Sequence, residues 1–131
     1  MNDKISYIAS PYTHKDEDVK EERAVAAAKA CVFLMSIGRT AFSPIASCHY
    51  IEKIGGLSTV YNDWQILDEA ILKVSDVFLI LTLNGWKSSK GMKAEYKFFC
   101  LNHLYPLVEY MIPSADTYHF LHVSAYKDPF K

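Results

Sequence analysis

Apolar and polar positions fall in blocks along this chain, and each block has its own period. The opening run Ile5-Ser6-Tyr7-Ile8-Ala9-Ser10 is short and rich in strand formers, and Pro11 ends it. This predicts a first strand that delivers its last residues to a loop above a sheet. Asp16 to Asp18 then supply acidic side chains suited to the positive end of a helix dipole. Val19, Arg23, Ala26, Ala27, Ala30, Leu34 and Ile37 recur at intervals of three and four, which predicts a helix of roughly five turns. Its alanines permit close approach to a sheet, and Gly38 stands where a C-terminal cap belongs.

A second short strand fits Thr40 to Phe42, stopped by Ser43-Pro44. Ile45 to Thr59 reads as a long connection broken at Gly55-Gly56, with room for a short helix from His49 to Ile54. Val60 to Val74 is predicted helical, with Trp64, Leu67, Ile71 and Val74 on one face and Ile66 and Ala70 beside it. Ser75-Asp76 closes that helix. The near-continuous apolar run from Val77 to Leu83 is the mark of a central parallel strand buried on both faces. Asn84 to Gly91 is a polar, glycine-bracketed loop, a helix fits Met92 to Asn102, and Leu104 to Tyr110 reads as another strand despite Pro106. The tail from Pro113 to Lys131 has no clear period; it either holds an edge strand from Tyr118 to Val123 or packs as loop.

Strand and helix therefore alternate over one domain, residues 1–131. The expected architecture is a three-layer α/β/α domain of Rossmann or flavodoxin-like type, with right-handed crossovers and a mostly parallel sheet of about five strands. Ligands in such sheets sit beyond the carboxyl ends of the strands. That puts Tyr7 to Tyr12, Ser43 to His49 and Asn84 to Gly91 on one rim.

Charge narrows the partners. Lysine and arginine number 14 against 15 aspartates and glutamates, a net charge of −1, which argues against a nucleic-acid polymer or an anionic membrane as the partner. No apolar stretch reaches the length of about 18 residues that a spanning helix needs. Met1-Asn2-Asp3-Lys4 runs straight into the first strand without a signal-peptide pattern. Cys31, Cys48 and Cys100 are odd in number and widely spaced, reading as reduced thiols of a cytoplasmic protein. The five histidines lack ligand spacing, so neither a metal nor another cofactor is expected.

Two places could carry chemistry. Ser88, Ser89 and Gly91 precede a helix start, where free backbone N–H groups favour an anion, and Lys87 and Lys90 add positive charge. Ser88 or Ser89 is equally a plain N-cap, and one hydroxyl can serve both roles. The glycine and lysine spacing is not that of a Walker motif. Glu95 falls in the first or second turn of that helix, and its side chain leans back toward the rim. The dipole there favours a carboxylate, which suits a nucleophile; the plainer alternative is a solvated glutamate paired with Lys93 or Lys97. Asp68 shares a turn with Leu72 and is expected to be partly buried, or else is a solvated helix aspartate. Tyr7, an aromatic in a first strand, reads as core.

Taken together, Tyr7-Ile8-Ala9-Ser10-Pro11-Tyr12, Asp68 eight residues ahead of Asp76, and Ser89 six residues before Glu95 resemble the nucleoside 2-deoxyribosyltransferase superfamily. The chain is especially similar to the small DUF1937-type branch, found in bacteria and phages, through Gly85-Trp86-Lys87-Ser88-Ser89-Lys90-Gly91 followed by Glu95. The resemblance covers residues 5 to 110. It implies an N-glycosidase or deoxyribosyltransferase acting on a nucleoside 5′-monophosphate or nucleoside through a covalent glycosyl-glutamate intermediate. Glu95 matches the nucleophile, Asp68 the acid that handles protons on the departing base, and Tyr7 a tyrosine that holds the nucleophile in place. Ser10, Pro11, Tyr12, Trp86, Ser88, Ser89 and Gly91 are then expected around the substrate. Relatives acting on free nucleosides carry an aspartate at the position of Ser89; a neutral hydroxyl beside Lys87 and Lys90 tolerates a 5′-phosphate instead. Where many relatives follow the nucleophile with a glycine- and alanine-rich helix, this chain has the bulkier Tyr96, Lys97, Phe98 and Phe99. The resemblance further implies a homo-oligomer, dimer or tetramer. The alternative reading is a non-catalytic module that binds a nucleotide as sensor or sequestering protein.

Overall fold

The structure, a computed structural model, describes residues 4–55, 61–123 and 127–131. Strand β1 (Ile5–Ala9) leads to helix α1 (Glu17–Ser36), whose start is fixed by Asp16: its carboxylate accepts the Asp18 N–H at 2.9 Å. Gly38 takes a φ of 84°, which lets the Arg39 N–H reach back to the Leu34 carbonyl at 2.9 Å and close the helix. The buried stripe of α1 is Ala24, Ala27, Ala30 and Leu34; Ile37 lies past the last turn and is exposed.

After β2 (Thr40–Phe42) the expected stop at Ser43-Pro44 is a helix start. Ser43 Oγ accepts the Ala46 N–H at 3.0 Å, and proline occupies the first turn, where its missing N–H would have had no helical partner. Helix α2 (Pro44–Gly55) thus replaces most of the expected connection and absorbs the predicted short helix. Helix α3 (Tyr61–Val74) follows; Val60, Gly56 and Thr59, which entered the predicted boundaries, lie outside the described residues. Strand β3 (Val77–Leu81) stops two residues before the predicted end, and α4 (Lys90–Leu101) begins two residues before its own. Strand β4 (Leu107–Ser114) starts and ends later than expected, leaving Leu104 and Tyr105 exposed ahead of it. The tail resolves as a strand, β5 (Thr117–His122), because it pairs antiparallel with β4 from Glu109↔His122 to Ser114↔Thr117.

The sheet order is β2-β1-β3-β4-β5, parallel except for β5. In register, Tyr7 pairs with Phe78 and Phe78 with Val108. These residues, with Ala9 and Ile80, face α3 and α4 and pack on Leu72, Met92 and Phe99. The opposite face carries Ile8, Leu79, Leu81 and Met111 against Ala30 and Leu34 of α1. The result is the expected three-layer α/β/α arrangement. No helix among the described residues is long and apolar enough to cross a membrane.

One charged pair lies within the α1 side of the sheet. Arg39 Nη2 meets Glu109 Oε1 at 2.8 Å and also donates to Ser6 Oγ at 2.9 Å, while its guanidinium lies 5.5 Å from the Phe120 ring. Glu109 is only 9% exposed, so removing its partner strands a charge in mid-strand. Arg39→Ala is expected to destabilise the fold by roughly 2–3 kcal/mol, somewhat less than a fully buried broken pair costs because both side chains keep some solvent contact. Urea denaturation of the two proteins measures it.

Candidate functional site

Strand order decides where a site can form. The chain leaves β1 toward β2 on one side and returns from β2 to β3 on the other, so the crossover direction reverses between β1 and β3. A reversal of this kind is where open α/β sheets form a ligand crevice, above the carboxyl ends of the two strands. Ser10, Pro11 and Tyr12 follow β1 there, and the loop from Thr82 to Ser89 follows β3. Arg23 of α1 ties these loops together, donating to the Thr13 carbonyl at 3.0 Å and the Asn84 carbonyl at 3.3 Å. Gly85, at φ 90°, sits under this strap, where a Cβ would stand 3.1 Å from the guanidinium.

Tyr7 and Glu95, 88 residues apart, meet beneath the crevice: the Tyr7 hydroxyl donates to the Glu95 carboxylate. The tyrosine is fully buried, stacked on Phe78 with ring centres 6.1 Å apart and an interplanar angle of 13°. Its rigid ring therefore carries the hydroxyl to a set position. Burial pushes the Glu95 carboxyl up to about 8; the Tyr7 hydrogen bond pulls the other way and the Asp68 charge pushes it higher still. The expectation that the α4 dipole keeps Glu95 ionised is thus outweighed by loss of water around the carboxyl. Asp68 is likewise pushed up, to about 6, by burial, and one of its oxygens, Oδ1, is shut off from solvent with no hydrogen-bond partner among the described residues. The Tyr7 phenol is raised by burial first and by Glu95 and Asp68 next, so it stays a donor.

At the head of α4, Ser89 is the N-cap: its Oγ accepts the Met92 N–H at 3.2 Å. Its own O–H remains a donor. Ser88 Oγ turns instead to the Gly85 carbonyl at 3.1 Å, inside the single 3₁₀ turn of residues 86–88. A Cβ on Gly91 would meet nothing nearer than Ser89 Oγ at 4.0 Å, so the first turn of α4 is uncrowded. Lys87 and Lys90 are exposed beside it. Trp86 sits edge-on to Tyr110 and Phe130, with ring centres 5.6 and 5.5 Å away, in an aromatic cluster that holds the chain's last residues against the β3–α4 loop.

Tyr12 is held by a network that the sequence did not reveal. Its hydroxyl meets His49 Nδ1 at 2.6 Å, and His49 Nε2 meets the Glu21 carboxylate, which also accepts from the Tyr50 hydroxyl at 3.0 Å. Hydrogen bonds from His49 and Tyr50 hold the Glu21 carboxyl below its ordinary value. In the neutral ring a carboxylate at Nε2 makes that nitrogen the protonated one, and Nδ1 then accepts from the Tyr12 hydroxyl. Burial, aided by Glu52 and Glu17, pushes the Tyr12 phenol up to about 12. The sequence places His49 on the rim but does not show this network, because its partners lie 37 and 28 residues away.

Helix α3 keeps part of the predicted face and departs from the rest: Ile71 packs on the core and Trp64 Nε1 is buried as expected, whereas Leu67 is 40% exposed and Val74 61%, and Leu72 and Asp68 Oδ1 are buried in their place. Trp64 Nε1, Asp68 Oδ1 and Ser10 Oγ are buried polar atoms without a hydrogen-bond partner among the described residues. Tyr7, Asp68 and Glu95 are thus brought together, Ser10 and Ser89 stand at strand end and helix start of the same rim, and Ser88 and Trp86 are engaged by their own surroundings.

No curated protein matches the chain. A family model does, described as "Domain of unknown function (DUF1937)", over residues 4–111. That span takes in every element from β1 through most of β4, and with them Tyr7, Asp68, Ser89 and Glu95: the chain belongs to the DUF1937 family.

Proposed function

We propose that the protein breaks the N-glycosidic bond of a nucleoside 5′-monophosphate or nucleoside, as hydrolase or transferase, and that its family is linked to the nucleoside 2-deoxyribosyltransferase superfamily. The observation that carries this reading is the Tyr7–Glu95 hydrogen bond beneath the β1–β3 crevice, with Asp68 near enough for its charge to act on Glu95. A Glu95 oxygen attacks the anomeric carbon. The bond to the base nitrogen breaks, its electron pair goes to the base, and Asp68 supplies the proton. Water, or the nitrogen of a second base, then gives its proton to Asp68 and displaces the sugar from the ester, which frees Glu95. Tyr7 fixes the attacking carboxylate and spreads its charge. The Ser89 hydroxyl, the α4 N-terminus and Lys87 with Lys90 offer a 5′-phosphate donors and positive charge, with Ser88 behind them. Ser10, Pro11 and Tyr12 at the end of β1, and Trp86 with Gly91 in and after the β3–α4 loop, are assigned to the rest of the substrate. The three free thiols suit a cytoplasmic setting, and the exposed apolar side chains of α1 and α2 (Val32, Met35, Ile51, Ile54) suit a dimer or tetramer.

A second reading has one observation in its favour. A Glu95 carboxyl raised to about 8 is largely neutral at pH 7, as a hydrogen-bonding group in a binding module would be. Incubating the pure protein with ribo- and deoxynucleosides and their 5′-monophosphates, followed by chromatography, separates the two. Released free base is the expected result. Every compound returned intact, with one of them raising the melting temperature, would overturn the glycosidase reading in favour of a binding module.

A further inference from the structure

Helix α3 runs from the rim down to the amino end of the sheet, where the Asp76 carboxylate accepts the Ile5 N–H at 2.8 Å and the Asp76 N–H reaches the Ile5 carbonyl at 2.8 Å. Leu72 stands in the core against Tyr7 and Phe78, and Asp68 and Trp64 follow upward along the helix at four-residue steps, each with a buried polar atom. Four residues climb about 6 Å along a helix. Trp64 therefore stands one turn closer to the carboxyl end of the sheet than Asp68, on the same face. Both present a buried polar atom with no partner among the described residues, the indole Nε1 and the carboxyl Oδ1, and the Ser10 hydroxyl at the end of β1 is a third. Orphaned buried polar atoms are uncommon in folded proteins, and each calls for a partner that the described residues do not supply.

We propose that Trp64 selects the base of the ligand, taking a heterocycle that carries a carbonyl oxygen where its competitor carries an amino group. This rests on the reading that the crevice holds a nucleoside or nucleotide, but not on any bond being broken there. The reason is the donor inventory. An indole N–H only donates, so its partner has to be an acceptor. A carbonyl on the ring completes that bond while a second acceptor on the ring faces Asp68. An exocyclic amino group in the same place sets N–H against N–H and leaves the buried indole unpaired. Hypoxanthine is then preferred to adenine and uracil to cytosine. A site built to hydrogen-bond a ligand group discriminates strongly against the analogue that lacks it. The Ser10 hydroxyl, which both donates and accepts, adapts to either member of a pair and adds no selection of its own.

The test uses the intact chain, labelled with ¹⁵N at its two tryptophans, Trp64 and Trp86. Deoxyinosine and deoxyadenosine monophosphates are titrated in parallel, then deoxyuridine and deoxycytidine monophosphates. The oxo member of at least one pair is expected to bind about 10- to 100-fold more tightly. One indole N–H resonance, absent from the spectrum of Trp64→Phe, is expected to move downfield on binding. Trp64→Phe keeps an aromatic ring but no donor, and should bring the ratio within each pair close to one. Equal affinity within both pairs, an amino preference, or an unmoved Trp64 resonance at saturation overturns the proposal while leaving the nucleotide reading intact. Failure of all four compounds to bind overturns both. If Trp64→Phe does not fold, the resonance is assigned by Trp86→Phe and the wild-type titrations decide.

Discussion

Glu95→Gln is expected to reduce base release by on the order of 10⁴-fold or more, and at the same time to make the protein more stable at alkaline pH. The two effects have one origin. Glutamine keeps the shape of the side chain and a carbonyl that accepts from the Tyr7 hydroxyl, so the packing around Tyr7 and Phe78 is preserved. It has no carboxylate, so nothing is left to attack the anomeric carbon. Stability follows from the raised carboxyl, which titrates at about 8 in the fold against an ordinary 4.5. Between those values the unfolded chain has given up a proton that the folded chain retains, so the wild type loses stability as pH rises from 4.5 to 8. Below 4.5 the group is neutral in both states and the loss disappears. Glutamine does not titrate. Its melting temperature should therefore match the wild type near pH 4.5 and exceed it by roughly 5 °C or more at pH 8.5. Asp68 contributes a slope of its own to both proteins, and only its coupling to Glu95 remains in the difference. Turnover that survives in a folded Glu95→Gln protein would exclude Glu95 as nucleophile. A melting difference that stays flat with pH would mean that the Glu95 carboxyl is not desolvated.

The pattern of the chain carries the architecture but only part of the site. The Val77–Leu83 run announces the central strand because burial on both faces needs a continuous apolar stretch, and helix α1 is announced by its alanines and Gly38. What misleads is punctuation with two meanings. Ser43-Pro44 ends a strand and starts a helix in the same two residues, and only the Ser43–Ala46 bond tells the meanings apart. Periodicity misjudges α3 for a related reason. Trp64, Leu67, Ile71 and Val74 make the more apolar stripe, yet the helix keeps only Trp64 and Ile71 inward, buries Leu72 and an Asp68 oxygen beside them and leaves Leu67 and Val74 exposed. A helix that buries an aspartate in place of a valine is not maximising apolar burial, and such a departure marks places where function competes with packing. Tyr7 is the mirror case: it is core, as a first-strand aromatic should be, and its one polar atom lands on Glu95. The Tyr12–His49–Glu21 chain and the Arg23 strap lie beyond local reading because each joins residues brought together only by the crossovers.

A bell-shaped dependence of kcat/KM on pH is the second large effect expected, with limbs near 6 and 8 set by Asp68 and Glu95. Each carboxyl raises the other's cost of ionisation, so the pair passes through a state that holds a single proton. Below the lower limb both are protonated and no nucleophile exists. Above the upper limb both are ionised and no acid remains for the departing base. Away from the maximum, rates should fall about tenfold per pH unit on each side. Within the one-proton state the proton prefers Glu95, the wrong carboxyl for turnover. A gap of two pH units leaves the productive arrangement at roughly one part in a hundred. A bound base that offers an acceptor to Asp68 draws the proton there and enlarges that fraction, so the ligand itself completes the catalytic protonation state. Two variants identify the limbs. Asp68→Asn removes the acid and also the charge that raises Glu95, so the bell should become a single rising limb below about 8. Tyr7→Phe removes the hydrogen bond that holds Glu95 down and should carry the alkaline limb to higher pH. Profiles measured from pH 4.5 to 9.5 decide, because a rate that stays level across that range would take the chemistry away from this pair of carboxyls altogether.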